Sequence, residues 1–154
     1  MEQLDIIVFG LTLFSSLLLH IISDFHLQGI FCDLKQSSWW ERKCNELGCN
    51  YATYKNDFIM CLYLHAFEWA CFIFLPIFVV TLAYFHIYEW YVWIAYLGTL
   101  FLNMDLHARI DHAKANLGVL NLIADQALHI GQILVTWGLF VFEICCVLSV
   151  RTHV

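Results

Sequence analysis

Three pairs of histidine and aspartate, each with its members four residues apart, are the residues whose types and spacing indicate chemistry in this chain. The pairs are His20 with Asp24, His107 with Asp111, and Asp125 with His129. Four residues is about one helical turn, so each pair presents an imidazole and a carboxylate on one helix face. Chance spacing would produce about 0.7 such pairs in a chain of this composition. Because both groups bind divalent cations, the excess favours a metal site.

The elements that must position these pairs are membrane-spanning helices. Hydrophobic residues make up 62% of the 154 residues and charged residues 13%, and the mean hydropathy is +0.73. Four apolar stretches, at about 5–23, 58–85, 87–106 and 117–150, are long enough to cross a hydrocarbon core of about 30 Å. The sequence therefore predicts an all-α integral membrane four-helix bundle, formed as a single transmembrane domain over residues 1–154.

The distribution of basic residues predicts the orientation of this bundle. The loop at 30–56 contains Lys35, Arg42, Lys43 and Lys55, the next loop on that side is flanked by Arg109 and Lys114, and only Arg151 lies on the opposite side. By the positive-inside rule, the basic side is cytoplasmic and both termini are outside. Trp39 and Trp40 in the 30–56 loop are typical of an anchor at the membrane interface.

With this orientation, all three His/Asp pairs lie at the cytoplasmic ends of their helices. His65 lies about 12 Å into the second span from the same side, so each of the four helices contributes a candidate ligand. Burying aspartate near lipid costs about 2.5 to 3.5 kcal/mol at a span's centre, and such groups need partners. A divalent cation would supply that partner. The alternative is a network of hydrogen bonds and ion pairs that orients the helices without metal.

The candidate ligands outnumber the four of a closed structural zinc site. They are His20, Asp24, His65, His107, Asp111, Asp125 and His129. Either two ions bind, or some of these residues orient ligands and transfer protons. Imidazole and carboxylate ligands fit Zn, Mn, Fe or Mg. A second zinc possibility, Cys44 with Cys49, has only one C-x4-C pair and is the weaker pattern.

The segment from His20 to Gln28, HIISDFHLQ, resembles the H-x-x-x-D-F-x-L-Q opening of a small bacterial and phage membrane family, the domain-of-unknown-function family thirty-three-oh-seven. The similarity continues in the same order through Lys35, Leu64-His65-Ala66, His107 to Asp111, Lys114, and Asp125-Gln126 to His129. The resemblance implies a bacterial inner-membrane protein or its phage-encoded equivalent, similar in pattern to inner-membrane metal-dependent hydrolases. It implies the same seven ligands, with Gln28, Lys35, Lys114 and Gln126 in supporting roles.

The favoured function is a metal-dependent hydrolase or phosphotransferase that acts at the cytoplasmic membrane surface. Its expected substrate is a phosphoester, with a lipid-linked one suggested by the depth of the site. A water activated by the ion would be the nucleophile, and Asp24 or Asp125 the general base. Lys35 is placed to meet a phosphate group or, equally, to be a solvated cytoplasmic lysine.

Two other functions use the same residues. Glu68, one turn beyond His65, and Pro76 in the same span favour a small transporter or ion-binding protein, for which a homodimer would be expected to form the path. A noncatalytic adaptor held together by metal would instead contact its partner through the 30–56 loop. The net charge of −6 with dispersed acids gives no support to nucleic-acid binding.

Overall fold

The protein, described by a computed structural model over residues 3–83 and 90–151, is helical wherever these residues form regular secondary structure. The helices are α1 (Gln3–Ile22), α2 (Phe31–Leu34), α3 (Ser37–Leu47), α4 (Tyr51–Tyr54), α5 (Asp57–Ala83), α6 (Trp90–Ala115) and α7 (Leu122–Arg151). A π-helical turn, Ser23–Leu27, follows α1. The four long helices α1, α5, α6 and α7 pack against one another, which brings their polar ends together.

Three helical stretches are long and apolar enough to cross a membrane: Asp5–Leu27, Tyr51–Ala83 and Leu122–Cys146. The prediction of an all-helical fold is confirmed for the described residues, and three of the four predicted spans correspond to helices of membrane-spanning length and composition. Within its described residues α6 is not among the three, because its second half becomes polar from Asn103 onward. The predicted span ends at 84–85 and 87–89, and the chain ends at 1–2 and 152–154, lie outside the described residues.

Apolar side chains fill the core between the helices and also cover the outside. One core cluster consists of Trp69, Ala70, Ile73, Phe74, Leu100 and Ile133. Large apolar side chains such as Phe14, Val135 and Phe142 are about two-thirds exposed, at 63%, 65% and 68%. Soluble proteins rarely expose contiguous apolar surface on this scale, so the outer surface is suited to lipid.

The turns between the long helices determine where the polar residues lie. Gly29 and Gly118 adopt left-handed φ values of 52° and 66°, which residues with a side chain rarely tolerate. After Gly118, the Asn121 side chain accepts a hydrogen bond from the Ala124 backbone N–H at 2.9 Å and caps α7. Helix α7 therefore begins at Leu122, five residues after the start of the predicted span.

The 30–56 segment contains short helices and is attached to α6. Asn116, just after α6, accepts a hydrogen bond from the Ser37 backbone N–H at 2.8 Å and donates one to the Lys35 backbone oxygen at 3.0 Å. These two bonds hold the chain on both sides of Gln36. The backbone of Lys35 is thereby fixed beside the C-terminal end of α6.

Candidate metal centre

Four histidines, one from each long helix, meet in the interior of the protein. His20, His65, His107 and His129 are all at most 1% exposed. The His107 and His129 rings stack with centroids 4.2 Å apart, and the His65 and His107 Nε2 atoms are 3.4 Å apart. Burying four imidazoles away from water costs desolvation free energy, so their clustering indicates a common site.

The three predicted aspartates lie among these histidines. Their side chains are at most 7% exposed. The contacts connect all seven predicted ligands: His20 to Asp24 at 3.6 Å, Asp24 to His65 at 3.9 Å, His65 to Asp111 at 3.6 Å, His107 to Asp111 at 3.8 Å, Asp111 to His129 at 3.4 Å, and His129 to Asp125 at 3.5 Å. The π-helical turn carries Asp24, and the first turns of α7 carry Asp125 and His129.

Two overlapping sets of three residues have ligand atoms within 4.8 Å of one another and could hold a metal ion. One set is Asp24, His65 and His107, and the other is His107, Asp111 and His129. His20 and Asp125 adjoin these sets in the described part of the chain without belonging to either. The sets occupy one continuous cluster because they share His107.

Several buried polar atoms in the cluster have no hydrogen-bond partner. They include Asp24 Oδ1, Asp125 Oδ1 and His129 Nε2. Buried polar atoms are almost always hydrogen-bonded in native proteins, because leaving one unpaired costs about 1–3 kcal/mol. A cation would satisfy carboxylate and imidazole lone pairs together, so this donor set fits a divalent metal ion.

Two lysines compensate part of the negative charge. Lys35, itself only 8% exposed, donates to Asp111 Oδ2 at 2.5 Å, and Lys114 donates to Asp125 Oδ2 at 2.6 Å. Lys35 is therefore part of the buried cluster, unlike a solvated lysine at the cytoplasmic surface. Each ammonium group leaves the other oxygen of its carboxylate directed toward His129.

Two glutamines supply neutral hydrogen bonds at the edge of the cluster. Gln126 donates to Asp24 Oδ2 at 3.3 Å and to Asp125 Oδ2 at 3.1 Å. The Gln28 Nε2 atom lies 3.1 Å from His65 Nε2. When the amide donates, His65 Nε2 is the accepting nitrogen, and this same lone pair is the one that binds metal.

Trp69 is the main site residue that sequence reasoning missed. Its Nε1 donates to His20 Nδ1 at 2.8 Å, and its ring stacks on His107 with centroids 4.1 Å apart. An indole N–H is only a donor, so Nδ1 accepts and a neutral His20 ring carries its proton on Nε2. In this arrangement His20 Nε2 has no hydrogen-bond partner, and His20 as a metal ligand stays a prediction. The spacing of His65 and Trp69, four residues apart in α5, was the available signal.

A cavity of about 340 Å³ adjoins the cluster. It is lined by Asp24, Phe25, Gln28, Cys32, Lys35, Gln36, Asp111, Lys114, Ala115, Leu122, Asp125 and Gln126. The predicted supporting residues Gln28, Lys35, Lys114 and Gln126 are thus all in its wall. Its volume is in the range of binding sites for small ligands. Its wall contains lysine and glutamine side chains, which donate hydrogen bonds, next to aspartate carboxylates.

Two further sequence candidates lie apart from the cluster. Glu68 is half-buried on α5, and no hydrogen bond or ion pair joins it to the described site residues. Cys44 and Cys49 are both free thiols outside the long helices. Hydrogen bonding with Cys49 raises the pKa of the Cys44 thiol to about 11, so the metal-free thiol is protonated at neutral pH.

Comparison of the chain with protein-family models, with curated proteins and with solved structures finds no match. The resemblance to the domain-of-unknown-function family thirty-three-oh-seven therefore stays a prediction from the motifs.

Proposed function

We propose that this chain is a membrane-embedded, metal-dependent hydrolase or phosphotransferase that acts on a phosphoester at the cytoplasmic face of a bacterial membrane. In this proposal α1, α5, α6 and α7 form a transmembrane four-helix bundle with both termini outside. The concentration of lysine and arginine around α2, α3 and the α6–α7 turn supports this orientation. The polar cavity would then open at the depth of lipid headgroups, where a lipid-linked phosphoester is accessible.

The observation that carries the proposal is the juxtaposition of unpaired ligand atoms and a cavity with two lysines in its wall. Asp24 Oδ1 and His129 Nε2 are buried without hydrogen-bond partners. Lys35 and Lys114 line the adjacent cavity together with Asp24. Ammonium groups bind phosphate oxygens, and divalent ions polarise phosphoryl groups and activate water.

The chain's own residues would divide the work as follows. Lys35 and Lys114 neutralise non-bridging phosphate oxygens. Asp24, which has no lysine partner, accepts a proton from the attacking water. The water oxygen forms the new bond to phosphorus, and the ester oxygen leaves with the electron pair of the broken bond. The proton held by Asp24 then passes to that leaving oxygen, so charge and atoms balance.

The test is release of phosphate by purified protein in detergent micelles after loading with Mn²⁺ or Zn²⁺. The probes are para-nitrophenyl phosphate, phosphatidic acid and a polyprenyl diphosphate. We expect metal-dependent turnover of at least one probe, and Asp24→Asn to lower kcat by about 10² to 10⁴-fold, as for loss of a general base.

Asp105→Asn is the matched control, because Asp105 contacts Tyr63 and Arg109 on the other side of α6 and takes no part in the cluster. It should retain turnover. Metal-loaded, folded wild-type protein that releases no phosphate from any of the three probes would overturn the proposal.

Transport is the second candidate, and a polar network between α6 and α7 favours it. Gln132 Nε2 and Thr136 Oγ1 both donate to Asn103 Oδ1, at 2.8 Å and 3.0 Å. Gln132 follows His129 by about one turn of α7, so polar groups continue from the cluster toward the middle of the bundle. Such contacts also join helices in membranes without any transport. Ion flux into proteoliposomes, without conversion of any phosphoester, would favour transport over hydrolysis.

A further inference from the structure

We infer that the site holds two divalent ions and that the Asp111 carboxylate bridges them. This inference deepens the proposed function, on which its statement about substrate charge rests. The two oxygens of Asp111 contact different histidines. Oδ2 lies 3.6 Å from His65 Nε2 and 3.8 Å from His107 Nε2, whereas Oδ1 lies 3.4 Å from His129 Nε2.

The position of the first ion follows from a triangle of ligand atoms. His65 Nε2, His107 Nε2 and Asp111 Oδ2 are separated by 3.4, 3.6 and 3.8 Å. The point equidistant from these three atoms is about 2.1 Å from each, which is the length of a zinc–nitrogen bond. The triangle therefore accommodates an ion without rearrangement of the helices, once the Gln28 amide turns away from His65 Nε2 and the Lys35 ammonium from Asp111 Oδ2.

The position of the second ion lies on the other side of the Asp111 carboxylate. His129 Nε2 is 3.4 Å from Asp111 Oδ1 and 3.5 Å from Asp125 Oδ1. Ligand atoms around an ion with bonds of about 2.1 Å are about 3.0 to 3.4 Å apart. His129 Nε2 and Asp125 Oδ1 are also buried atoms without hydrogen-bond partners, in residues at most 1% exposed.

A single ion cannot bind both the ligand atoms around Asp111 Oδ2 and those around Asp111 Oδ1. An imidazole nitrogen has a single lone pair, so His107 Nε2 serves one ion only. The remaining atoms, from His129, Asp125 and the second oxygen of Asp111, then form a set of their own. A carboxylate between two ions spaced about 3.5 to 4 Å apart is the usual arrangement in two-metal phosphoryl-transfer sites.

Charge indicates the class of substrate for this two-ion site. With neutral imidazoles, Asp24, Asp111 and Asp125 carry three negative charges, and Lys35 and Lys114 carry two positive charges. Two divalent ions change the net charge of this group from one negative to three positive. A buried excess of positive charge needs an anion, so the site favours a phosphomonoester or diphosphate over a singly charged phosphodiester.

The test counts ions in purified protein without any substrate. Metal analysis after dialysis against Mn²⁺ should show two ions per chain in the wild type and one ion in each of His65→Ala and His129→Ala. His26→Ala is the matched control, because His26 is exposed at the end of the π-helical turn, and it should retain two ions.

Electron paramagnetic resonance of the wild-type protein provides a readout that does not depend on the variants folding. Two Mn²⁺ ions bridged by Asp111 should produce an exchange-coupled spectrum, and Asp111→Asn should abolish that coupling. One ion per wild-type chain, a spectrum of isolated Mn²⁺ only, or loss of all metal in either folded single-histidine variant would overturn the inference. If the protein binds two ions but hydrolyses none of the probes, the two-ion site is supported and the proposed function is overturned.

Discussion

Lys35 determines the charge balance of the buried cluster. Its ammonium group lies inside the protein against Asp111, although its position just beyond the first span is equally typical of a solvated cytoplasmic lysine. Without an ion, the Lys35–Asp111 pair prevents an uncompensated carboxylate in the interior. In the proposed function, an ion on Asp111 would make the same lysine available to a phosphate in the cavity.

Lys35→Ala should therefore destabilise the metal-free protein more than the metal-loaded one. Removing one partner of a buried ion pair costs about 3–5 kcal/mol, and an ion that replaces the lost charge should restore most of that cost. The measurement is thermal unfolding in micelles with chelator and with Mn²⁺. Lys43→Ala is the control, since Lys43 pairs with Glu46 on the exposed surface of α3. Equal destabilisation of the Lys35 variant under both conditions would contradict metal binding at Asp111.

The sequence predicted those members of the His/Asp cluster that are related by local spacing along a helix. The three His/Asp pairs are each one helical turn long, and the common depth of the pairs followed from the hydropathy pattern. Trp69 could not be predicted in the same way. Its indole meets His20 and His107 only after α1, α5 and α6 pack, and its apolar bulk made it indistinguishable from a core residue.

Among the elements, the connections were harder to predict than the helices. Long apolar runs indicated four helices, and the described residues contain four long helices. The π-helical turn has no signal in hydropathy, because it depends on a shift of backbone hydrogen bonding. Turns of this kind are frequent at functional sites, and this one carries Asp24. The short helices within 30–56 were not predicted, because the mixed polar and aromatic composition of this segment gives no clear helical pattern.

The attachment of the 30–56 segment to α6 depends on Asn116. Asn116→Ala removes the bonds to Ser37 and Lys35, and each hydrogen bond contributes about 0.5–1.5 kcal/mol. We expect faster amide hydrogen exchange at residues 33–38 and tighter Mn²⁺ binding, because the Lys35 ammonium that competes with the ion for Asp111 is held less firmly.

Asn50→Ala is the comparison for this prediction. The Asn50 side chain caps α4 by accepting from the Ala52 backbone N–H, on the exposed surface away from the cluster. The Asn50→Ala substitution should loosen α4 and leave the affinity for Mn²⁺ unchanged. Unaltered exchange at 33–38 in Asn116→Ala would show that other contacts position Lys35.

At the scale of the whole molecule, apolar side chains cover the outside as well as filling most of the core. Buried histidines and aspartates occupy one end of the interior, and bulky apolar side chains cover the outside. Three helical stretches are of membrane-spanning length and composition. The orientation across the bilayer can be tested through Cys32, which is exposed and lines the cavity.

A variant that retains Cys32 as its single cysteine should react with a membrane-impermeant maleimide in inverted vesicles and remain unlabelled in intact spheroplasts. The positive-inside rule predicts that this side of the protein is cytoplasmic. Labelling in detergent serves as the control for reactivity of the thiol. Reaction in intact spheroplasts would reverse the proposed topology and move the cavity to the outer face.

The ion pair between Lys114 and Asp125 spans the turn from α6 to α7, so it forms between residues close together in the chain. The α6–α7 hairpin can thus neutralise its own buried carboxylate before it packs against α1 and α5, which precede it in the chain. Small zinc domains, in contrast, are unfolded until they acquire metal. We therefore expect biosynthesis of this protein to proceed in two separable stages, with membrane insertion first and metallation of the finished protein afterwards.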